Sequence, residues 1–402
     1  MYRSPVNNNA FFIITLLILT TGCGGLPEEA VDRDHKNGQG ETVTLALNKF
    51  TNDKTLSLMP EMPSILTLTL DNAQISDAGM AHVSKLESLH MLTLNDTGIT
   101  DAAFDELQKL TNLTQLELAN TDITDVGISA LKNFKNLRVL NLESTNITDE
   151  GLKALSEMQQ LQALVLNGTS ITDAGIAHLA NLTDLDSLRL NDTGITDAAI
   201  LSLRGNQKIT DLQLKNTQVT DEITDVLNGY RDLAYLNLEG TSITNKALLA
   251  LAPLEKIQYL FFSNTATSLA AQARWSGIPT LMMNETKNVD LELVFAEGTK
   301  TIESISLVNS DLTDAGIKSL MTLPKLRRIS LQGTQITDSG LKELCELENL
   351  EALNLKETNI TESGFANLKN LPNLKSLTLS KGHISAEAKK KLGDSLPSLR
   401  FY

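Results

Sequence analysis

A carboxylate returns at a fixed interval along this chain. Asp77, Asp101, Asp125, Asp149, Asp173, Asp197 and Asp221 are spaced by 24 residues, and Asp290, Asp314 and Asp338 resume the row. Most stand in Ile-Thr-Asp or a close variant just before a helical pattern. That placement suits a helix N-cap whose charge also favours the positive end of the helix dipole. Stacked carboxylates could instead hold calcium, but Ca²⁺ gathers many oxygens at one point. This row supplies one Asp per repeat and is interrupted by Asn245, Glu362 and Ala386. The capping reading is preferred and no metal is expected. His82 and His178 fall on equivalent positions four repeats apart, too far to share an ion. With neither a phosphate-cradling glycine loop nor a nucleophile elbow in the sequence, no catalysis and no cofactor are expected.

The two cysteines have different contexts. Met1 to Asn9 is polar with one basic residue, Arg3, and an apolar run from Ala10 to Leu19 leads into Thr20, Thr21, Gly22 and Cys23. The run is too short to span a bilayer as a helix. Ending in small residues ahead of a Cys, it resembles a bacterial lipoprotein signal peptide, although Thr20 stands where that motif usually has Leu. The resemblance implies a signal over 1–22, cleavage at Gly22–Cys23, and a lipid on Cys23 that anchors the chain in a membrane. Gly24, in place of the Asp that commonly holds lipoproteins at the inner membrane, points to the outer membrane. An ordinary cleaved signal or an uncleaved anchor is the alternative. Residues 23–41 follow as the lipidated Cys and a Gly-, Pro- and charge-rich flexible tether. Cys345 then has no disulfide partner and is expected as a small apolar residue half-buried on a helix.

The elements that must position all these residues come from one repeat. Taken at the first Leu or Ile, units start at Ile65, Leu89, Leu113, Leu137, Leu161, Leu185, Ile209, Leu233 and Ile257, and again at Ile302, Leu326, Leu350 and Leu374. The 45 residues of 257–301 hold two degenerate units, the second starting at Ile278 and running three residues short, which makes fourteen units. In the unit 113–136, Leu113, Leu116 and Leu118 alternate as in a strand, while Ile128, Leu131 and Phe134 recur at near-helical spacing. Each unit is therefore strand, turn, helix. A unit of this size cannot bury both apolar faces alone, so neighbours must stack and share a core. Thr occupies the turn after the strand in eleven units, from Thr97 to Thr358 and including Thr265 and Thr286, where its hydroxyl can satisfy exposed backbone. The Gly two residues after the Asp gives way to Ala103, Ala199, Ala247 and Ala388, so the position asks for smallness rather than positive φ.

The pattern Leu-x-x-Leu-x-Leu-x-x-Thr-x-Ile-Thr-Asp-x-Gly resembles the leucine-rich repeat, in the cysteine-containing subtype of F-box substrate receptors. It is also similar to the arrays of bacterial leucine-rich-repeat lipoproteins. Thr stands where the eukaryotic subtype has Cys, and no segment could be an F-box. The resemblance implies an α/β solenoid, a horseshoe with a parallel sheet on its concave face and helices on its convex face. Around it, residues 42–64 keep Leu45, Leu47 and Phe50 in register without a helix signal and read as an N-terminal cap. Residues 65–256 hold units 1–8 and 302–397 hold units 11–14. The last helix carries Lys389, Lys390 and Lys391, and 398–402 forms a closing strand-like stub.

Composition agrees with such a chain. A net charge of −15 argues against a nucleic-acid partner, two cysteines exclude a disulfide scaffold, and 41% hydrophobic residues exclude a disordered chain. Function is then expected on the outward positions of the sheet. Most are small and neutral, but Tyr235, Tyr259, Phe261 and Met282 come from three consecutive strands and should lie together at the break in the repeat. They are the candidate partner-binding residues, since grouped aromatics are enriched at interaction hot spots. The alternative is that they are cross-strand pairs that stabilise the sheet. The expectation is a monomeric, membrane-anchored scaffold for an unknown protein ligand. An envelope spacer without a ligand and F-box-like substrate recognition for ubiquitin ligation are the competing readings.

Overall fold

The computed structural model describes residues 31–36, 42–251, 253–265, 279–282, 284–285 and 302–402. The expected signal, Cys23, Thr286, Asp290 and the stretches 266–275 and 288–300, where the helical side was expected to be disturbed, lie outside the described residues. The chain divides into two compact units, residues 1–212 and 213–402. Among the described residues no helix is long and apolar enough to cross a membrane.

In the first unit, β1 (Val31–Lys36) runs antiparallel to β2 (Thr42–Leu47). From β2 onward the strands are parallel: β3 (Thr67–Thr69), β4 (Met91–Thr93), β5 (Gln115–Glu117), β6 (Val139–Asn141), β7 (Ala163–Val165) and β8 (Ser187–Arg189) pair in turn. The N–H groups of Thr210 and Asp211, the latter opening β9 (Asp211–Gln213), donate to the carbonyl of Asp186. The register is that of the repeat. Leu116 faces Leu140 and Leu140 faces Leu164, so each strand sends one Leu into the core between two outward residues. Leu68, Leu92, Leu116, Leu140, Leu164 and Leu188 are all wholly buried, at about 1.5–3 kcal/mol for each side chain removed from water.

Two N-terminal expectations are corrected. Part of the expected tether is strand β1, which covers the free edge of β2 and so shields backbone groups that would otherwise template association. The expected helix-less cap has a short helix, Asp53–Leu56, because Asn52 accepts a hydrogen bond from the N–H of Thr55 and caps it. Leu45 and Leu47 are buried as expected, whereas Phe50 is 58% exposed.

The second unit continues the same way. β10 (Tyr235–Asn237), β11 (Tyr259–Phe261), β12 (Thr280–Met282), β13 (Ser304–Ser306), β14 (Arg328–Ser330), β15 (Ala352–Asn354), β16 (Ser376–Thr378) and β17 (Arg400–Phe401) are parallel and pair in order. The sheet thus runs through the break in the repeat, and β17 is the closing stub. Leu260 pairs with Leu281, 21 residues on, and Leu281 with Ile305, 24 residues on. The three missing residues therefore belong to 257–277 and not, as the spacing suggested, to the unit starting at Ile278.

The turn after each strand has a common chemistry. The hydroxyls of Thr97, Thr121, Thr145, Thr169 and Thr193 each donate to the carbonyl three residues back at 2.6 Å, as do Thr217, Thr241 and Thr334 in the second unit. Ser310 does the same at 2.8 Å. These hydroxyls satisfy buried carbonyls where the chain leaves the sheet. One residue before the Thr, or before Ala73 and Ser310 at its equivalents, the backbone is left-handed, at Asn72, Asp96, Asn120, Asn216, Asn264 and Asn309 with φ between 53° and 62°. That explains why short polar side chains or Gly recur there.

The recurrent Asp does something other than cap its own helix. In unit after unit the N-cap is the preceding Thr, whose Oγ1 accepts the N–H two residues on, for example Ala102 to Thr100 and Glu150 to Thr148. The Asp is the first helical residue, and its carboxylate reaches the next repeat. Oδ1 of Asp149 accepts the N–H of Thr172 at 2.8 Å while Oδ2 accepts the Thr172 hydroxyl at 2.6 Å. Asp77 with Thr100, Asp101 with Thr124, Asp125 with Thr148 and Asp173 with Thr196 repeat this in the first unit. Asp221 with Thr244, Asp314 with Thr337 and Asp338 with Thr361 repeat it in the second. Each Thr thus hands its neighbour's charge on to its own helix start, which also suits the dipole. The same carboxylate explains the small residue two positions later: a methyl on Gly175 would overlap Oδ1 of Asp149, and one on Gly340 would overlap Oδ1 of Asp314.

Candidate protein-interaction surface

The residues singled out from the sequence meet on the outward face of the second unit's sheet. Parallel register sets Tyr235 beside Tyr259, and Phe261 beside Met282. The rings of Tyr235 and Tyr259 lie 5.7 Å apart between centroids, and those of Tyr235 and Phe261 5.1 Å, both pairs tilted by 36°. These are attractive aromatic separations. All four side chains are partly exposed, whereas Phe262, next in the chain, fills a core position and is 1% exposed. Alternation thus separates a structural from a presented phenylalanine in adjacent positions.

A polar group on the first unit's sheet, which the repeat pattern did not flag, is the contrast. Asp211 is buried and accepts hydrogen bonds from the Ser187 hydroxyl at 3.2 Å and from Nη2 of Arg189 at 3.0 Å. Burial, together with the nearby negative charge of Asp211, pushes the Asp186 carboxyl above the ordinary Asp range. Three strands before Arg189, Glu117 accepts from Gln115 at 2.8 Å and from Asn141 at 2.7 Å. Here the outward groups answer one another. The signal in the sequence was the run Glu117, Asn141, Arg189, Asp211 along the outward columns, but only registry pairs them.

Elsewhere, a cleft of about 560 Å³ between 59–62 and 82–88 and another of about 540 Å³ between Phe365 and Lys391 are grooves between successive helical segments. His82 lines the first of them. Cys345 follows the helix Asp338–Leu344 and is more buried than its expected half, at 3% exposed. Burial pushes its thiol up to about 12, so it carries almost no thiolate at neutral pH.

Comparison with known proteins agrees with the geometry. A family model described as a leucine-rich repeat region matches residues 48–307, and a second, described as a leucine-rich repeat, matches 322–345. No curated protein matches the chain. Among solved structures, a leucine-rich-repeat protein of Leptospira interrogans is similar, at 17% identity over 89% of each chain and a TM-score of 0.58. An internalin of Listeria monocytogenes matches at 25% identity over 89% of this chain and 86% of its own, with a TM-score of 0.46. The leucine-rich-repeat ectodomain of a plant membrane receptor kinase from Arabidopsis thaliana, in complex with Casparian strip integrity factor 2, matches at 15% over 92% of this chain and 51% of its own, with a TM-score of 0.49. With the model match covering more than half of the sequence and the strand–turn–helix register in place, the chain belongs to the leucine-rich repeat family.

Proposed function

We propose that this chain is a lipid-anchored scaffold of the bacterial cell envelope that binds another protein on the sheet face of residues 213–402. Proteins of this family are in general interaction scaffolds. The observation that carries the reading is the partly exposed group Tyr235, Tyr259, Phe261 and Met282 on three adjacent strands, with the Tyr235 ring against those of Tyr259 and Phe261. Such side chains add area at low entropic cost and are favoured anchors for a partner. Cys23, following the short apolar run, is the proposed lipid site.

The test is a matched capture from envelope extract with the wild-type chain and with Tyr259→Ala/Phe261→Ala. A partner retained by the first and lost by the second, with the variant still fully folded at the assay temperature, supports the reading. Equal capture rejects it and leaves the aromatic group as cross-strand packing. Mass spectrometry of the mature N-terminus tests the anchor: an acylated Cys23 is expected, and a chain that begins elsewhere or carries a bare Cys rejects it.

A further inference from the structure

The aromatic group does not stand alone on its sheet. Register carries the column of Tyr259 through Thr280 and Ser304 to Arg328, one strand at a time. Arg328 is exposed, and no carboxylate pairs with it among the described residues. Its neighbours on the same face are small: Ser304 and Ala352 flank it, and Ser306 and Ser330 fill the next column. The adjacent Arg327 is by contrast neutralised, lying 3.0 Å from Glu351, which Lys375 also approaches at 3.3 Å. A low shelf therefore runs from an aromatic wall at one end to an unpaired guanidinium at the other. Three strand spacings of roughly 4.8 Å put them about 14 Å apart.

The charge balance of the chain changes over the same region. Residues 302–402 carry thirteen Lys and Arg against twelve Asp and Glu, so the whole of the −15 resides in 1–301. Glu303 flanks the shelf, and Glu351 and Glu357 share its β14–β17 side with Arg328, Lys356, Lys375 and Arg400, but Glu351 is already bridged by Arg327 and Lys375. An exposed guanidinium in such a setting is a fork for a carboxylate, and the ring cluster is a seat for an apolar side chain.

Resting on the interaction reading above, we infer that this face takes an extended acidic segment of a partner protein. An apolar side chain of that segment seats on Tyr235, Tyr259 and Phe261, and an Asp or Glu reaches Arg328. At about 3.3 Å per extended residue, the two ligand side chains stand about four positions apart.

A phage-displayed random dodecapeptide library selected on the full-length chain provides the probe, and fluorescence polarisation of the best peptide provides the affinity. The expected consensus pairs an aromatic or large aliphatic residue with Asp or Glu about four positions away. Arg328→Glu should weaken that peptide at least tenfold, and exchanging the peptide's acid for Lys should restore binding to Arg328→Glu alone. Arg328 is exposed, so the exchange leaves the fold intact. Peptides lost on Tyr259→Ala/Phe261→Ala but indifferent to Arg328→Glu overturn the acidic specificity while the interaction face stands. Peptides indifferent to the aromatic pair remove the face itself, and failure to enrich any peptide overturns the inference.

Discussion

The sheet faces of the two units are built on one scaffold and present opposite chemistry. In residues 1–212 two outward sets are closed: Glu117 holds Gln115 and Asn141, and Asp211 holds Ser187 and Arg189. In 213–402 the outward columns carry a partly exposed aromatic group and an Arg328 that no carboxylate pairs among the described residues. Behind both faces lie the same Leu rows, the same Thr hydroxyl in the turn and the same Asp-to-Thr bridge between neighbours. The repeat rule therefore dictates stacking and leaves the outward columns free to differ, and it is on those columns that the proposed binding face is sought.

If the scaffold is truly common, breaking it should cost the same in either half. Gly175→Val and Gly340→Val each force a side chain onto the carboxylate of the preceding repeat and should each lose about 3 kcal/mol in urea unfolding. A large loss in one half alone would mean the ladder is not shared. Next in size, Asp149→Ala and Asp314→Ala each remove two charge-assisted bonds to the following Thr, with an expected loss of about 2 kcal/mol. On the faces themselves stability should barely distinguish the units. Tyr259→Ala and Phe261→Ala should cost about 1 kcal/mol each as cross-strand contacts, yet abolish partner capture, whereas Glu117→Ala/Asn141→Ala should leave capture unchanged. Loss of capture with the second pair would move the binding face into the first unit.

The smallest effects separate the units by pH. Burial alone would raise the Asp338 carboxyl, but hydrogen bonds from the Thr361 hydroxyl and N–H and from Ser363 outweigh it and hold the carboxyl below its ordinary value. Its contribution is thus present above the unfolded Asp range and lost as pH falls through the lowered value. Asp338→Asn should destabilise at neutral pH and lose its effect in strong acid. Asp186 is raised, so its ionised form is the costly one, and that cost is absent below the unfolded Asp range and grows as pH rises through the raised value. Asp186→Asn should slightly stabilise at neutral pH and be silent in acid. Thermal melts across pH that show both variants moving the same way would refute the assignment.

The sequence by itself determined the stacking unit, its period, its core rows and the grouping of Tyr235, Tyr259, Phe261 and Met282, because alternation and a 24-residue register are one-dimensional facts. It misassigned the Asp row, since a side chain at a helix start can serve its own helix or the next repeat, and only the packing of neighbours shows that Thr supplies the cap while Asp bridges. The strand within 23–41 was hidden because β1 has no apolar alternation of its own and is held by pairing with β2. The left-handed turn at Asn72 and its equivalents is a backbone feature that the repeat pattern did not flag. Arg328 stood in the sequence as one basic residue among many. Its exposure and its place in the column of Tyr259 depend on which strands lie side by side, and that is a property of the folded sheet.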